Sequence, residues 1–146
     1  MLGNLTGKNI IVISVNSGIA EQLALKWISS ENNVTGSYRN LNEADQTRLS
    51  KIMTLHQLDL SDTKSILDFV DKAPEWDVIV LCSGTMEPIG RFDTIDIESW
   101  KQSVSVNFIA QIDLVHRLLP KRRIKDVPTV IFFAGGGTNS APVNYS

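Results

Sequence analysis

The segment Ser14-Val15-Asn16-Ser17-Gly18-Ile19-Ala20 sets small and polar residues between a short apolar run and a helical pattern. Such a turn lets backbone amides approach an anion, and the helix that follows adds the partial positive charge of its N-terminus. The chemistry it suits is pyrophosphate binding, although a plain tight turn would use similar residues. Arg39 follows a second apolar run, and no Asp or Glu stands between Glu31 and Glu43. An acid there would bind the ribose hydroxyls of adenosine, whereas an arginine accommodates a 2′-phosphate, so NADP is expected over NAD. The alternative is a solvent-facing side chain. Asp59, between Leu58 and Leu60, could accept a hydrogen bond from an exocyclic amine such as that of adenine. It could equally serve the helix that starts near Ser61. Asn107 lies among Val104, Val106, Phe108 and Ile109. An amide in such surroundings needs a partner, because an unpaired buried polar group costs roughly 1–3 kcal/mol. Holding a water or a backbone kink would supply one, as would an ordinary satisfied core position.

These residues need elements to position them. Asn9 to Ile13 is continuously apolar and β-branched, the pattern of a strand buried on both faces in a parallel sheet. Ile19, Leu23 and Trp27, with Ala20, Ala24 and Ile28 beside them, form one helical stripe. Val34–Tyr38, Met53–Leu58, Asp77–Cys82 and Thr129–Phe133 repeat the strand signal. Between them lie a polar stretch from Leu41 to Ser50 (weak helix or loop), a helix capped by Ser61, and one long helix from about Asp96 to Leu119 closed by Pro120. Strands alternating with helices predict a parallel sheet with right-handed crossovers and helices on both faces. Ligands then bind at the carboxyl ends of strands, where the strand order reverses.

Composition narrows the function classes. The 146 residues suit one domain, and 42% hydrophobic with 21% charged residues is ordinary globular usage. Net charge is -2, from 14 basic and 16 acidic residues, which argues against nucleic acid as the main partner. The basic run Lys121-Arg122-Arg123, just past Pro120, reads as a solvated loop. The single cysteine, Cys82, excludes an internal disulfide and fits a reducing compartment, so the cytoplasm is the expected address. The two histidines, His56 and His116, have no spacing of a metal site, and no apolar run approaches the ~18 residues of a membrane span. Val104 to Val115 is apolar on nearly every side, so the face that does not meet the sheet wants a neighbouring helix or a second subunit.

The marks together resemble the short-chain dehydrogenase/reductase family from Lys8 to Ser146. Its TGxxxGxG loop matches Ile13–Ala20, keeping only the middle glycine, Gly18. Its adenine-contacting Asp matches Asp59, and its NNAG sequence matches Leu81-Cys82-Ser83-Gly84, where only the glycine survives. Phe92 to Asn107 is similar to the family's helix-four stretch, whose Asn supports a water in the proton relay. The resemblance implies a Rossmann-type doubly wound α/β fold, with strand order 3-2-1-4-5 in a three-layer sandwich. Residues 1–146 would then be one incomplete dinucleotide-binding domain. The implied contacts to NADP, or to NAD, are Ser14, Asn16, Ser17, Gly18, Ile19, Arg39, Asp59, Leu60, Cys82, Ser83 and Gly84, with Asn107 as the catalytic residue and no metal. The implied activity is hydride transfer to or from a hydroxyl/carbonyl substrate, in a homo-oligomer assembled through the helix around Trp100–Leu119. Phe132 to Gly136 carries no hydroxyl where the family has its catalytic Ser; Thr138 and Ser140 lie beyond. Tyr145 comes slightly early for the family's YxxxK, and no Lys follows it. The chain is therefore expected to be the front portion of a protein of ~230–250 residues, inactive alone. The alternative is a non-catalytic nucleotide-binding or regulatory module.

Overall fold

The computed structural model describes residues 6–125 and 127–133. The expected helices and strands appear in alternation: β1 (Asn9–Ile13), α1 (Gly18–Ser29), β2 (Asn33–Tyr38), α2 (Glu43–Ser50), β3 (Thr54–Gln57), α3 (Thr63–Lys72), β4 (Val78–Leu81), α4 (Ile97–Val104), α5 (Ala110–Leu118) and β5 (Thr129–Phe132). The five strands are parallel, in the order β3-β2-β1-β4-β5, so the reversal of strand order falls between β1 and β4.

The continuous apolarity of β1 and β4 has its explanation in two cores. Ile11, Ile13, Ile79 and Leu81 point to one side, where Ile66 and Phe69 of α3 and Leu114 and Leu118 of α5 cover them. Ile10, Val12, Val78 and Val80 point to the other, under Ala20 and Ala24 of α1 and Leu49 of α2. A strand alternates faces every residue, so burial on both sides demands apolar side chains at every position. The alanine line of α1 meets the sheet, while Ile19 at the start of that helix is exposed.

The choice left open between a weak helix and a loop is settled, and three local expectations are corrected. The polar stretch before Ser50 is a helix, α2, capped by Asn42, whose Oδ1 accepts from the Asp45 amide at 2.8 Å. Asp62 rather than Ser61 caps α3. The long helix after Asp96 is interrupted: Ser105–Ile109 forms a π-helical turn between α4 and α5, and the Ala110 amide reaches back to the Ser105 carbonyl. Lys121-Arg122-Arg123 is also no solvated loop. Lys121 Nζ donates to the carbonyls of Val70, Asp71 and Ala73 at the end of α3, and Arg122 Nη1 to that of Leu119. Arg123 pairs at 3.0 Å with Asp77, which is 4% exposed. Among the described residues no helix is long and apolar enough to cross a membrane.

Candidate functional site

At the exit of β1 the chain turns sharply, and Ser14 takes a positive φ of 61°. That is left-handed backbone, which costs an L-residue roughly 1–2 kcal/mol and which glycine occupies freely. Ser14 stands where the resemblance expects the first glycine. Its neighbours hold it there: the Ser14 amide donates to Ser37 Oγ at 3.1 Å, the Val15 amide to the Ser37 carbonyl at 2.8 Å, and the Ser17 amide to the Ser14 carbonyl at 3.0 Å. Val15 packs over Gly36 so closely that a Cβ on Gly36 would lie 2.7 Å from Val15 Cγ1. Ser17 then caps α1, accepting from the Ala20 amide. A Cβ on Gly18 would meet nothing within 4 Å, so the space before the α1 N-terminus is open. Asn16 Nδ2 bridges to the Asn40 carbonyl beyond β2 at 3.1 Å.

Past β2 and β3, Arg39 is exposed, and its guanidinium has no hydrogen-bond partner among the described residues. Asp59 faces it. Asp59 Oδ1 accepts from Ser61 Oγ at 2.6 Å and from the Ser61 amide at 2.9 Å. The Ser61 hydroxyl, with its amide and the Arg39 charge, holds the Asp59 carboxyl below the usual carboxylate range against a smaller opposing effect of burial. The carboxylate thus serves the turn into α3 and the space beside Arg39 at once.

Past β4, the hydroxyls of Ser83 and Ser14 meet at 2.8 Å, across the place where the strand order reverses. Cys82 is half-buried against the core, and burial pushes its thiol up. Asn107 is exposed, contrary to its apolar sequence surroundings, because the π-helical turn swings it towards the loop after β4. There Oδ1 accepts from the Thr85 amide at 2.7 Å, while Nδ2 donates to the Thr85 carbonyl at 2.9 Å and to Ser103 Oγ at 3.2 Å. Gln111, one turn further on, is buried and donates to the Ser83 carbonyl at 3.1 Å. Sequence reading had passed over it. Its one signal was a polar side chain on the inward stripe of an otherwise apolar helix.

These exits line one cleft of about 720 Å³, within the ~300–1,000 Å³ usual for small-molecule sites. Ser14, Asn16, Arg39, Asp59, Leu60, Ser83 and Gly84 are brought together in its wall. Ser17, Gly18, Ile19, Cys82 and Asn107 are not among its lining residues. Residues not foreseen extend it on the far side: Thr85 and Glu87 after β4, and Asp96, Gln102, Ser103 and Val106 around α4. Among the described residues of that wall Arg39 is the only base, against four acids: Asp59, Glu87, Asp96 and Glu98. Gly135 to Gly137, Thr138, Ser140 and Tyr145 lie outside the described residues.

The comparisons agree with this geometry. The chain superposes on the crystal structure of a short chain dehydrogenase from Salmonella enterica serovar Typhi with a TM-score of 0.83 and 21% identity, over 99% of this chain and 64% of that one. A putative short chain dehydrogenase from Shigella flexneri, solved with NADP, gives 0.81 and 17% over 99% and 66%. The protein BdcA, solved with NADPH, gives 0.71 and 18% over 82% and 49%. The chain therefore spans somewhat under two thirds of the length of the Salmonella protein. Among curated protein sequences nothing matches. The sequence profile of the short chain dehydrogenases matches residues 8–139, and the chain belongs to that family.

Proposed function

We propose that the cleft binds a nicotinamide dinucleotide, NADP in preference to NAD, as the cofactor-binding portion of an oxidoreductase that moves hydride to or from a hydroxyl/carbonyl pair. The observation that carries this reading is the single cleft running across the carboxyl ends of β3, β2, β1 and β4, with Arg39 and Asp59 at one end and the Ser14–Ser83 contact at the switch point. The open space at Gly18 fits a pyrophosphate, which would rely on the α1 amides because Arg39 is the only cation among the described residues of the wall. The Arg39 guanidinium, without a hydrogen-bond partner among the described residues, would meet the 2′-phosphate, and Asp59 the adenine. The bound nicotinamide would supply the hydride acceptor or donor. Asn107 would fix the loop at Thr85. Both Nδ2 protons are used there, so a water would be held through the second lone pair of Oδ1 or the Asn107 carbonyl. The structural likeness to proteins solved with NADP and NADPH supports the choice of nucleotide.

The test is titration calorimetry of the full chain with NADP and with NAD. Wild type should bind NADP, and Arg39→Ala should weaken it about tenfold while leaving NAD binding unchanged, the loss expected for one charge-assisted contact. Absence of binding by either nucleotide at millimolar concentration would sink the proposal. A non-catalytic nucleotide-binding module is favoured by one observation, the strained Ser14 in place of glycine. A protein that bound NADPH but oxidised none of it with any of a broad panel of carbonyl compounds would establish that second reading. Phe108 and Ile109, 61% and 58% exposed, with Ile112 beside them, would form the subunit contact, read by sedimentation.

A further inference from the structure

The inward stripe of α5 consists of Ala110, Leu114 and Leu118, all buried, and of one polar residue, Gln111, which is 4% exposed. A primary amide is a costly choice for such a position, since each of its polar atoms must be satisfied away from water. A leucine of similar reach would bury without that requirement. The amide has a specific use here. Nε2 donates to the Ser83 carbonyl at 3.1 Å and to the Val106 carbonyl at 3.2 Å, so both its protons are committed. Ser83 and Val106 both line the cleft, on opposite sides of the junction between the β4 exit and the π-helical turn. Ser83 carries the hydroxyl that meets Ser14 at 2.8 Å. Among the described residues neither hydroxyl has another partner. Of their two protons one lies between them, and the other is available to an acceptor oxygen in the cleft.

We propose that Gln111 is a positioning residue for the cleft, its buried amide tying the Ser83 backbone to the π-helical turn and so setting the Ser14–Ser83 hydroxyl pair against an acceptor oxygen of the bound nucleotide. The π-helical turn gives this tie its geometry. One extra residue in the turn widens the helix where it passes the β4 exit, and such turns recur beside functional sites. Asn107 grips the same loop two residues on, at Thr85, so the loop is fixed at two points. Only the Gln111 point reaches the residue that carries the hydroxyl.

This inference rests on the cleft taking a dinucleotide, and its test separates the two. The full chain is titrated with NADP by calorimetry, and urea unfolding is followed in parallel. Wild type binds; Gln111→Leu raises the Kd about tenfold, and the double variant Gln111→Leu/Ser83→Ala stays within about twofold of the weaker single variant, because both act through one hydroxyl. Gln111→Glu adds a readout that packing alone does not move. Burial raises a glutamic acid's pKa. At about pH 5.5 the protonated carboxyl donates to Ser83 and binding comes close to wild type; at about pH 8 the carboxylate cannot donate and binding falls behind it. Lower stability of Gln111→Leu with a Kd within twofold of wild type overturns the proposal and leaves Gln111 a packing residue. If Gln111→Leu does not fold, the glutamate variant decides, and a constant ratio to wild type across that pH range overturns the proposal. Wild type that binds neither NADP nor NAD overturns the functional reading and this inference with it.

Discussion

The two ends of the sheet are built on opposite plans. At the amino end, polar groups are drawn inward and spent on one another. Asp77 accepts from the Asn9 amide at 2.7 Å and from Arg123, Trp76 Nε1 donates to the Leu118 carbonyl, and Lys121 closes the end of α3 with three contacts. At the carboxyl end the same strands finish in small residues, a left-handed serine and an exposed arginine, around an open cleft. Both ends carry charge, and burial is what separates them. Where a charge is covered it has a fixed partner. Where it is left open to water, as at Arg39, it is available to a ligand. The comparison teaches that a charged residue's role follows from what covers it, since Arg39, past the carboxyl end of β2, and Arg123, at the amino end of the same sheet, are the same residue type.

If that division is real, substitutions at the amino end should move stability and leave the cleft alone. Trp76→Ala removes a fully buried indole and its hydrogen bond, and should cost about 3–5 kcal/mol in urea unfolding. Arg123→Met leaves the 4% exposed Asp77 carboxylate with the Asn9 amide as its remaining partner among the described residues. A loss of about 2–3 kcal/mol is expected, with NADP affinity of the folded protein unchanged. A fall in affinity of either variant beyond twofold would break the comparison. The smallest effect lies at the carboxyl end. Ser14→Ala and Ser14→Gly both lose the contact to Ser83, but only alanine keeps a Cβ at a φ of 61°. Ser14→Gly should therefore be the more stable of the two by about 1 kcal/mol. Equal stabilities would mean that the turn relaxes without strain.

Much of the fold was legible because it follows from local rules. Ile10 to Ile13 of β1 and every residue of β4 are apolar because both faces are covered, and that pattern is visible in a row of letters. The positions of Arg39, Asp59 and Ser83 at strand exits followed from the same reading, and the structure brings them into one cleft. The break in the long helix was not legible, since Ser105 to Ile109 holds neither the Pro nor the Gly that would mark an interruption. Lys121 and Arg123 were misread for a related reason. A basic run beside a proline has the composition of a solvated loop, and only the fold brings the end of α3 and the carboxylate of Asp77 within its reach.

The sequence by itself determined the order of strands and helices, the two-sided burial of the central strands and the residue types waiting at their carboxyl ends. These are consequences of periodicity and of backbone chemistry along the chain. Tertiary structure alone decided which of those residues face one another. The Ser14–Ser83 contact spans 69 positions and the Gln111–Ser83 bond spans 28. The left-handed turn at Ser14 is fixed by Ser37 from the neighbouring strand, 23 positions away. No local pattern encodes such distances, because they depend on how parallel strands stack side by side.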